Sequence, residues 1–206
     1  MQITPPSILL FDVMSTLVYD PFWKDLPKAL NMDLKTWLMD KDRHAWVEFE
    51  KGNIATEDAF FERFFGNSSH PDAKIMKDTF LNHYKYLDGI PELLEQIHQR
   101  GIPCHVLSNY PIWFEELNVQ VGLEQYIEEM FVSYQIGIRK PDTGIYDYVL
   151  QKLNVQPQKI LFVDDRLENC TAAGSLGMQY HHFQSVDSLR TTLYQHRILE
   201  KGFLST

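Results

Sequence analysis

The chain has 206 residues, of which 44% are hydrophobic and 23% charged, and its formal net charge is −9. These values fit one globular domain, or one domain with a small insert, and the length suffices to bury a substantial core. The acidic balance argues against a nucleic-acid partner, because phosphate backbones are bound through an excess of Lys and Arg.

Signal peptides and membrane-spanning segments have characteristic sequence patterns. Residues 1–6, MQITPP, lack the basic and apolar regions of a signal peptide. No apolar run approaches the roughly 20 residues that cross a bilayer. Cys104 and Cys170 stand far apart without a CxxC motif, which is typical of a reducing compartment. We therefore expect a cytoplasmic protein without a membrane partner.

Short apolar runs that predict buried strands alternate along the chain with segments that predict helices. The predicted strands are 8–12, 103–108, 130–134, 159–164 and a weaker 178–183. The predicted helices between and after them are 91–100, 112–121, 142–153, 166–176 and 186–198. Gly101 and Gly122 directly follow the first two helices, as C-terminal glycines commonly do. This alternation predicts an α/β fold, a three-layer Rossmann-like parallel sheet covered by helices.

Residues 20–85 interrupt the alternation, because no convincing strand occurs among them. Helical patterns cover 26–38, 43–50, 56–65 and 72–84 instead. Thr56 is a favourable helix N-cap, and the acidic residues that follow it suit a first turn. The sequence therefore predicts a helical insert between the first strand and the rest of the sheet.

Polar side chains end three of the predicted strands. Asp12 ends the first strand, Ser108 and Asn109 end the second, and Asp164 and Asp165 end the fourth. The carboxyl ends of parallel strands border the crevice in which ligands bind, so these residues form a candidate site. Each of them alone also suits a turn or a helix N-cap. The two adjacent carboxylates repel each other unless a cation or a positive group is near, which favours the site.

Four motifs that contain these residues resemble those of haloacid dehalogenase superfamily hydrolases with a helical cap after the first strand. In chain order they are FDVMSTL, HVLSN, RKPD and LFVDDRLEN, and they span nearly the whole chain. The resemblance implies a core domain at 1–19 and 86–206 and a cap domain at 20–85. It also implies a phosphatase that acts on a small phosphorylated metabolite, with Mg²⁺ as its cofactor.

The resemblance assigns roles to the motif residues. Asp12 would be the nucleophile that forms an aspartyl-phosphate, and Lys140 would offset the negative charge on the nucleophile and the phosphate. The phosphate-binding and bracing residues would be Thr16, Ser108 and the backbone amide of Asn109. The metal ligands would be Asp12, the backbone carbonyl of Met14, Asp164 and Asp165.

Met14 is the departure from this pattern, since typical phosphatases of the superfamily have a second Asp there. That Asp protonates the leaving alcohol and then activates water, and a thioether has no proton to give. Three interpretations stay open: a slow phosphatase, a phosphatase whose acid or base comes from elsewhere, and chemistry other than phosphate ester hydrolysis. The candidate substitutes for the missing acid are Asp20, His44 and Glu48.

Two further kinds of superfamily hydrolase also lack the second Asp. Dehalogenases usually have Tyr or Phe at this position and need no metal, but the pattern of Asp164, Asp165 and Asn169 argues against them. Phosphonatases have Ala there and use a cap lysine as a Schiff base; the candidates are Lys24, Lys28 and Lys51. A binding or regulatory protein without activity is the remaining alternative.

The stretches FDVMSTLVYDPF and SNYPIWF further resemble plant and cyanobacterial members of the superfamily that include flavin mononucleotide (FMN) hydrolases. Met at position 14 is compatible with a working phosphatase in that group, although Ser15 stands where the group has Asp. FMN is therefore the expected substrate, with Tyr110 and Trp113 as candidate contacts. The aromatic residues of the insert suit either a small helical core or stacking on a flat ring: Phe22, Trp23, Trp37, Trp46, Phe49, Phe60, Phe61, Phe64 and Phe65.

Overall fold

In the described part of the chain, five strands form one parallel sheet. In chain order they are β1 (Ile8–Phe11), β2 (Cys104–Ser108), β3 (Glu129–Val132), β4 (Ile160–Asp164) and β5 (Gln179–His182). Their order in the sheet is β3-β2-β1-β4-β5, so β1 lies at the centre between β2 and β4. The computed structural model describes residues 5–200. Residues 1–4, where the sequence predicted no signal peptide, and residues 201–206, the far end of the predicted core domain, lie outside this range.

Side chains of the central strands alternate between the two faces of the sheet, as the pleat requires. Leu9 and Phe11 of β1 belong to one apolar core, whereas Leu10 belongs to a second core. The residues of β1, β2 and β4 are buried except for Ile8, which is half-buried. Continuous apolar strands of this kind are typical of a parallel sheet covered on both faces. The predicted three-layer α/β fold is confirmed.

Between the insert and residue 200, six α-helices cover the sheet or connect its strands. They are α6 (Ile90–Gln99), α7 (Phe114–Val121), α8 (Ser133–Ile136), α9 (Thr143–Leu153), α10 (Leu167–Ser175) and α11 (Val186–Gln195). The prediction that the third strand continues to residue 134 is wrong: β3 ends at Val132, and Ser133 begins the short α8. The buried hydroxyl of Ser133 makes hydrogen bonds to other segments, so tertiary contacts select the helical turn there.

Five helices occupy the insert: α1 (Asp25–Leu30), α2 (Leu34–Trp37), α3 (Arg43–Glu50), α4 (Glu57–Phe65) and α5 (Pro71–His83). The single helix predicted over 26–38 is wrong. Asn31 adopts the left-handed conformation (φ 52°, ψ 38°) and ends α1, and the Asp33 side chain accepts the Thr36 backbone N–H to begin α2. Asn tolerates this conformation better than most residues, which explains the break.

The division into a core domain and a cap domain stays a prediction. Apolar residues of the insert and of the sheet belong to one continuous core; Phe49 and Phe60 of the insert, for example, share it with Leu9 of β1. Across residues 5–200, the helices are too short or too polar to cross a membrane.

Candidate active site

The carboxyl ends of three neighbouring strands gather the predicted site residues at one edge of the sheet. Asp12 directly follows β1, Ser108 ends β2 and Asp164 ends β4. Since β1 pairs in parallel with both β2 and β4, these three strand ends lie side by side. The Asp12 backbone N–H donates to the Val163 carbonyl at 2.8 Å, which extends the pairing to the carboxylate itself.

The Lys140 ammonium connects all three of these strand ends. Its Nζ donates to Asp12 Oδ1 at 2.6 Å, to Asp164 Oδ2 at 2.7 Å and to the Leu107 carbonyl at 2.6 Å. Lys140 is only 1% exposed. Burial alone lowers the pKa of its ammonium, but Asp12 and Asp164 outweigh burial, so its pKa is raised. Lys140 therefore stays positive between two carboxylates at neutral pH.

The side chain of Asn109 holds the backbone of Lys140 from both sides. Asn109 Oδ1 accepts the Lys140 N–H at 2.8 Å, and Nδ2 donates to the Lys140 carbonyl at 2.9 Å. The sequence predicted a phosphate contact for the Asn109 backbone amide but not this amide clamp. Ser108 is buried, and its Oγ lacks a hydrogen-bond partner within residues 5–200. Ser108 does not line the cavity that Asp12 and Lys140 line, so its contact with phosphate stays a prediction.

Asp12 is hydrogen-bonded through both of its carboxylate oxygens. Lys140 donates to Oδ1, and the buried Thr16 donates its hydroxyl to Oδ2 at 3.3 Å. Burial raises the pKa of Asp12 to about 7, Lys140 opposes this rise, and Asp164 and Asp165 add to it. Its ionised form therefore depends on nearby cations.

Asp12, Asp164 and Asp165 form the acidic cluster that was predicted to bind the metal. One ligand oxygen from each residue lies within 4.8 Å of the others. Asn169 Nδ2 donates to both Asp164 oxygens at 3.0 Å, and the Arg166 N–H donates to Oδ1 at 2.8 Å. Burial, followed by the charge of Asp164, raises the pKa of Asp165. Three carboxylates with oriented oxygens suit a hard divalent cation such as Mg²⁺.

Met14 is half-buried in the turn that follows β1, and both Met14 and Asp12 line the cavity described below. Ser15 adopts a left-handed conformation with φ 61°, and its N–H donates to the Val18 carbonyl at 2.8 Å. The turn therefore presents a thioether, which cannot transfer a proton, at the position of the missing carboxylate. Metal binding by the Met14 backbone carbonyl stays a prediction.

A cavity of about 420 Å³ lies between this sheet edge and the helical insert. Four carboxylates and four basic groups line it, so their formal charges cancel although the chain as a whole is acidic. They are Asp12, Asp20, Glu50, Asp165, Arg43, Arg139, Lys140 and Arg166. Aromatic side chains form much of the remaining wall: Phe22, Trp23, Trp46, Phe64, Phe80 and Tyr110.

A buried ion pair between Glu50 of α3 and Arg139 is the part of this wall that sequence reasoning missed. Arg139 Nη2 lies 2.9 Å from Glu50 Oε2, and Glu50 is only 6% exposed. Trp46 Nε1 donates to Glu50 Oε1 at 2.8 Å. Glu50 stands four residues after Trp46 and next to Phe49, so helical spacing would have placed it on the buried face of α3.

The two aromatic residues predicted to contact substrate have different surroundings. Tyr110 lines the cavity, where its hydroxyl lies 2.9 Å from the hydroxyl of Tyr84. Trp113 does not belong to the cavity wall within the described residues: it is 2% exposed and packs edge-on against Phe49. Its indole N–H donates to Glu57 at 2.6 Å. Packing against the insert buries the ring of Trp113, and its substrate contact stays a prediction.

Of the three candidate substitutes for the missing acid, one lines the cavity and two do not. Asp20 lines the cavity, and burial raises the pKa of its carboxyl. His44 is exposed, and Glu48 accepts a hydrogen bond from Asn53 at 2.8 Å; neither belongs to the cavity wall in the part of the chain that is described.

The lysines of the insert that a Schiff-base mechanism would need lie elsewhere. Over residues 5–200, Lys140 is the lysine that lines the cavity, whereas Lys24, Lys28 and Lys51 do not. Lys51 lies 3.8 Å from Glu48 instead. The phosphonatase alternative therefore lacks its reactive amine at this site.

Comparison with known proteins gives one consistent family. The profile of the haloacid dehalogenase-like hydrolase family matches residues 8–177. The chain is 38% identical over 186 residues to flavin mononucleotide hydrolase 1 of Arabidopsis thaliana, covering 90% of this chain and 76% of that protein. It is 28% identical over 152 residues to a sesquiterpene phosphatase of Aspergillus oryzae, covering 72% of this chain and 76% of that protein.

Solved structures with the same fold belong to the same family. A haloacid dehalogenase family enzyme of Bacteroides thetaiotaomicron superposes with a TM-score of 0.70 at 21% identity, covering 88% of this chain and 95% of that one. A further structure of that enzyme, in complex with magnesium and inorganic phosphate, gives a TM-score of 0.67 at 20% identity and covers 88% and 96% of the two chains. At this identity the likeness concerns the fold.

Proposed function

The chain belongs to the haloacid dehalogenase-like hydrolase family, and we propose that it is a Mg²⁺-dependent phosphomonoester hydrolase with Asp12 as its nucleophile. The observation that carries this proposal is the buried Lys140 ammonium, which donates hydrogen bonds to both Asp12 and Asp164 of the acidic cluster. Folding alone does not require a buried cation among three carboxylates, since buried ion pairs contribute little to stability. Reaction with an anionic substrate explains such a cluster.

Charge is the main obstacle to attack by a carboxylate on a phosphate. Two like unit charges 4 Å apart repel by roughly 1 kcal/mol in water and roughly 4 kcal/mol at an effective dielectric of 20. Lys140 offsets this repulsion at Asp12, and Thr16 orients the other carboxylate oxygen. Mg²⁺, held by Asp12, Asp164, Asp165 and the Met14 carbonyl, would supply further charge neutralisation when bound. The Asp12 oxygen then attacks phosphorus, and the ester oxygen leaves.

Ser108 and the backbone amide of Asn109 are the proposed phosphate-binding groups. The free hydroxyl of Ser108 lies at the carboxyl end of β2, beside Asp12 at the end of β1. The Asn109 side chain is already engaged with Lys140, so the group of Asn109 that we assign to the phosphate is its backbone N–H. Strand ends of this kind bind ligands in open parallel sheets.

We propose FMN as the substrate. The cavity volume of about 420 Å³ lies in the range of small-molecule sites, and its aromatic wall suits a flat ring. Trp23 is 68% exposed although it lines the cavity, so we assign its indole ring to stacking on a flat ring that enters. The FMN hydrolase of Arabidopsis thaliana, at 38% identity, supports this choice. The cytoplasmic location stays a prediction.

The test is phosphate release from FMN, p-nitrophenyl phosphate and a panel of sugar and nucleotide phosphates, with Mg²⁺ and with EDTA. We expect metal-dependent release that Asp12→Asn abolishes, with FMN as the preferred substrate. Asp147→Asn, the same change at an exposed position of α9, serves as the control and should leave release intact. Release that persists in Asp12→Asn would refute the nucleophile.

Absence of release from every substrate would refute the phosphatase itself. A 2-haloacid would then be assayed for halide release, because a dehalogenase uses the same nucleophile without a metal. Failure of both assays would leave a binding protein without activity.

A further inference from the structure

A phosphatase of this design needs an acid for the leaving oxygen, and Met14 cannot provide one. Such proton transfer contributes typically 10²–10⁴-fold to the rate. The acid must come from the wall of the cavity that holds Asp12. Among the residues described, the carboxyl groups of that wall outside the acidic cluster are Asp20 and Glu50.

We propose that the Glu50 carboxyl is this general acid and base, a role that rests on the phosphatase function proposed above. In the first step the Asp12 oxygen forms a bond to phosphorus, the ester P–O bond breaks, and the Glu50 proton moves to the departing oxygen. In the second step the Glu50 carboxylate takes a proton from water, and the water oxygen bonds to phosphorus. The bond between phosphorus and Asp12 then breaks, which releases phosphate and restores both carboxyl groups.

The position of Glu50 is fixed by contacts with the sheet side of the cavity. Its backbone carbonyl accepts the buried Ser133 hydroxyl at 2.5 Å, just after β3. Two residues on, Gly52 has φ +72°, and a Cβ there would lie 2.2 Å from the Tyr134 carbonyl. This close approach joins the end of α3 to the turn that contains Ser133. Glu50 is therefore anchored to the core although it belongs to the insert.

One carboxylate oxygen of Glu50 accepts a hydrogen bond, and the other does not. Oε1 accepts the Trp46 indole N–H, whereas Oε2, although 2.9 Å from Arg139 Nη2, makes no hydrogen bond within residues 5–200. The contact with Arg139 is thus an ion pair that leaves oxygen lone pairs for a ligand. Arg139 directly precedes Lys140, whose ammonium contacts Asp12, so Glu50 is tied to the segment that carries the reaction.

The electrostatics of Glu50 suit both halves of the reaction. Burial raises the pKa of its carboxyl to about 7, while Arg139, the Trp46 hydrogen bond, Arg166 and Lys140 oppose this rise. Both protonation states are therefore populated near neutral pH, as an acid that later acts as a base requires. After the proton leaves, Arg139 stabilises the carboxylate that remains.

Asp20 is the less suitable carboxylate. Its Oδ1 accepts the Phe22 backbone N–H at 2.9 Å, so a local turn uses one oxygen. The groups that influence its pKa, besides burial, are Phe22 and Trp23, which follow within three residues of it in the chain. The pKa of Glu50, in contrast, is influenced by the charges of Lys140 and Arg166, which flank the reacting groups.

The experiment compares Glu50→Gln with wild type on FMN and on p-nitrophenyl phosphate, whose leaving group needs no acid. We expect Glu50→Gln to lower steady-state turnover of FMN by roughly 10²–10⁴-fold. With p-nitrophenyl phosphate, the first turnover should still release about one p-nitrophenol per enzyme as a rapid burst, followed by slow hydrolysis of the aspartyl-phosphate. The burst amplitude also counts folded active sites; if Glu50→Gln does not fold, Glu50→Asp replaces it and should retain both the burst and part of the FMN turnover.

Glu48→Gln and Asp20→Asn are the two variants that are compared with Glu50→Gln. Glu48→Gln makes the same change on α3 outside the cavity wall and should behave as wild type within about threefold. The proposal is overturned if Glu50→Gln turns over FMN within about threefold of wild type, or if it loses the p-nitrophenol burst as severely as FMN turnover. It is also overturned if Asp20→Asn alone gives the expected signature. Inactivity of wild type, or activity of Asp12→Asn, would instead refute the phosphatase function itself.

Discussion

Replacement of Lys140 by Met is the sharpest test of the charge arrangement. The change keeps a long side chain but removes the cation between Asp12 and Asp164, whose ligand oxygens lie within 4.8 Å of each other. Two unit charges at that distance repel by about 3.5 kcal/mol at an effective dielectric of 20. Breaking a buried ion pair by removing one partner costs roughly 3–5 kcal/mol. We therefore expect Lys140→Met to lower the free energy of unfolding by about 3–4 kcal/mol at neutral pH.

The assay is urea denaturation at about pH 7.5 in EDTA, so that divalent cations do not replace the lost charge. The control is Lys152→Met on α9. The Lys152 ammonium lies over the exposed ring of Tyr148, so its removal should change the free energy of unfolding by less than about 1 kcal/mol. The loss for Lys140→Met should shrink as the pH falls, because protonation of one carboxyl removes the repulsion. A loss below about 1 kcal/mol at neutral pH, or one independent of pH, would refute the reasoning.

Three further predictions follow from the cavity wall. Ser133→Ala removes the hydroxyl that accepts the Tyr110 N–H and donates to the Glu50 carbonyl. It should lower the free energy of unfolding, measured by urea denaturation, by about 1–3 kcal/mol, and a loss below about 0.5 kcal/mol would contradict this. Because the folded pKa of Glu50 is about 7 and its ordinary value is 4.5, the folded protein binds more protons between these values, so stability falls by about 3 kcal/mol as the pH rises through this range. Glu50→Gln should therefore gain stability relative to wild type between about pH 5 and about pH 8, and parallel pH profiles for the two proteins would disprove it. Trp23→Ala should raise the KM for FMN roughly 2- to 10-fold while a small sugar phosphate is unaffected, and equal effects on both substrates would exclude stacking.

The sequence by itself determined the sheet, the insert and the residues at the strand ends. Continuous apolar runs such as β1 and β4 are local signals, and the polar residue that ends each run identifies the edge of the sheet. Asp12 and Asp164 were therefore predictable from the strand ends, whereas Lys140 came from the resemblance of the RKPD motif, and the structure brings the three into contact. Met14 was likewise readable as a departure, since it occupies a known position within a motif.

Only the tertiary structure decided which side chains of distant segments meet. The Glu50–Arg139 pair joins the insert to the loop before Lys140, and no spacing in the sequence encodes that contact. Trp113 is the converse case, because its place after the second motif suggested substrate contact, whereas packing against the insert buries it. The physical reason is the same for both. A motif indicates where residues lie within one segment of the chain. Contacts between distant segments depend on how the helices of the insert pack against the sheet.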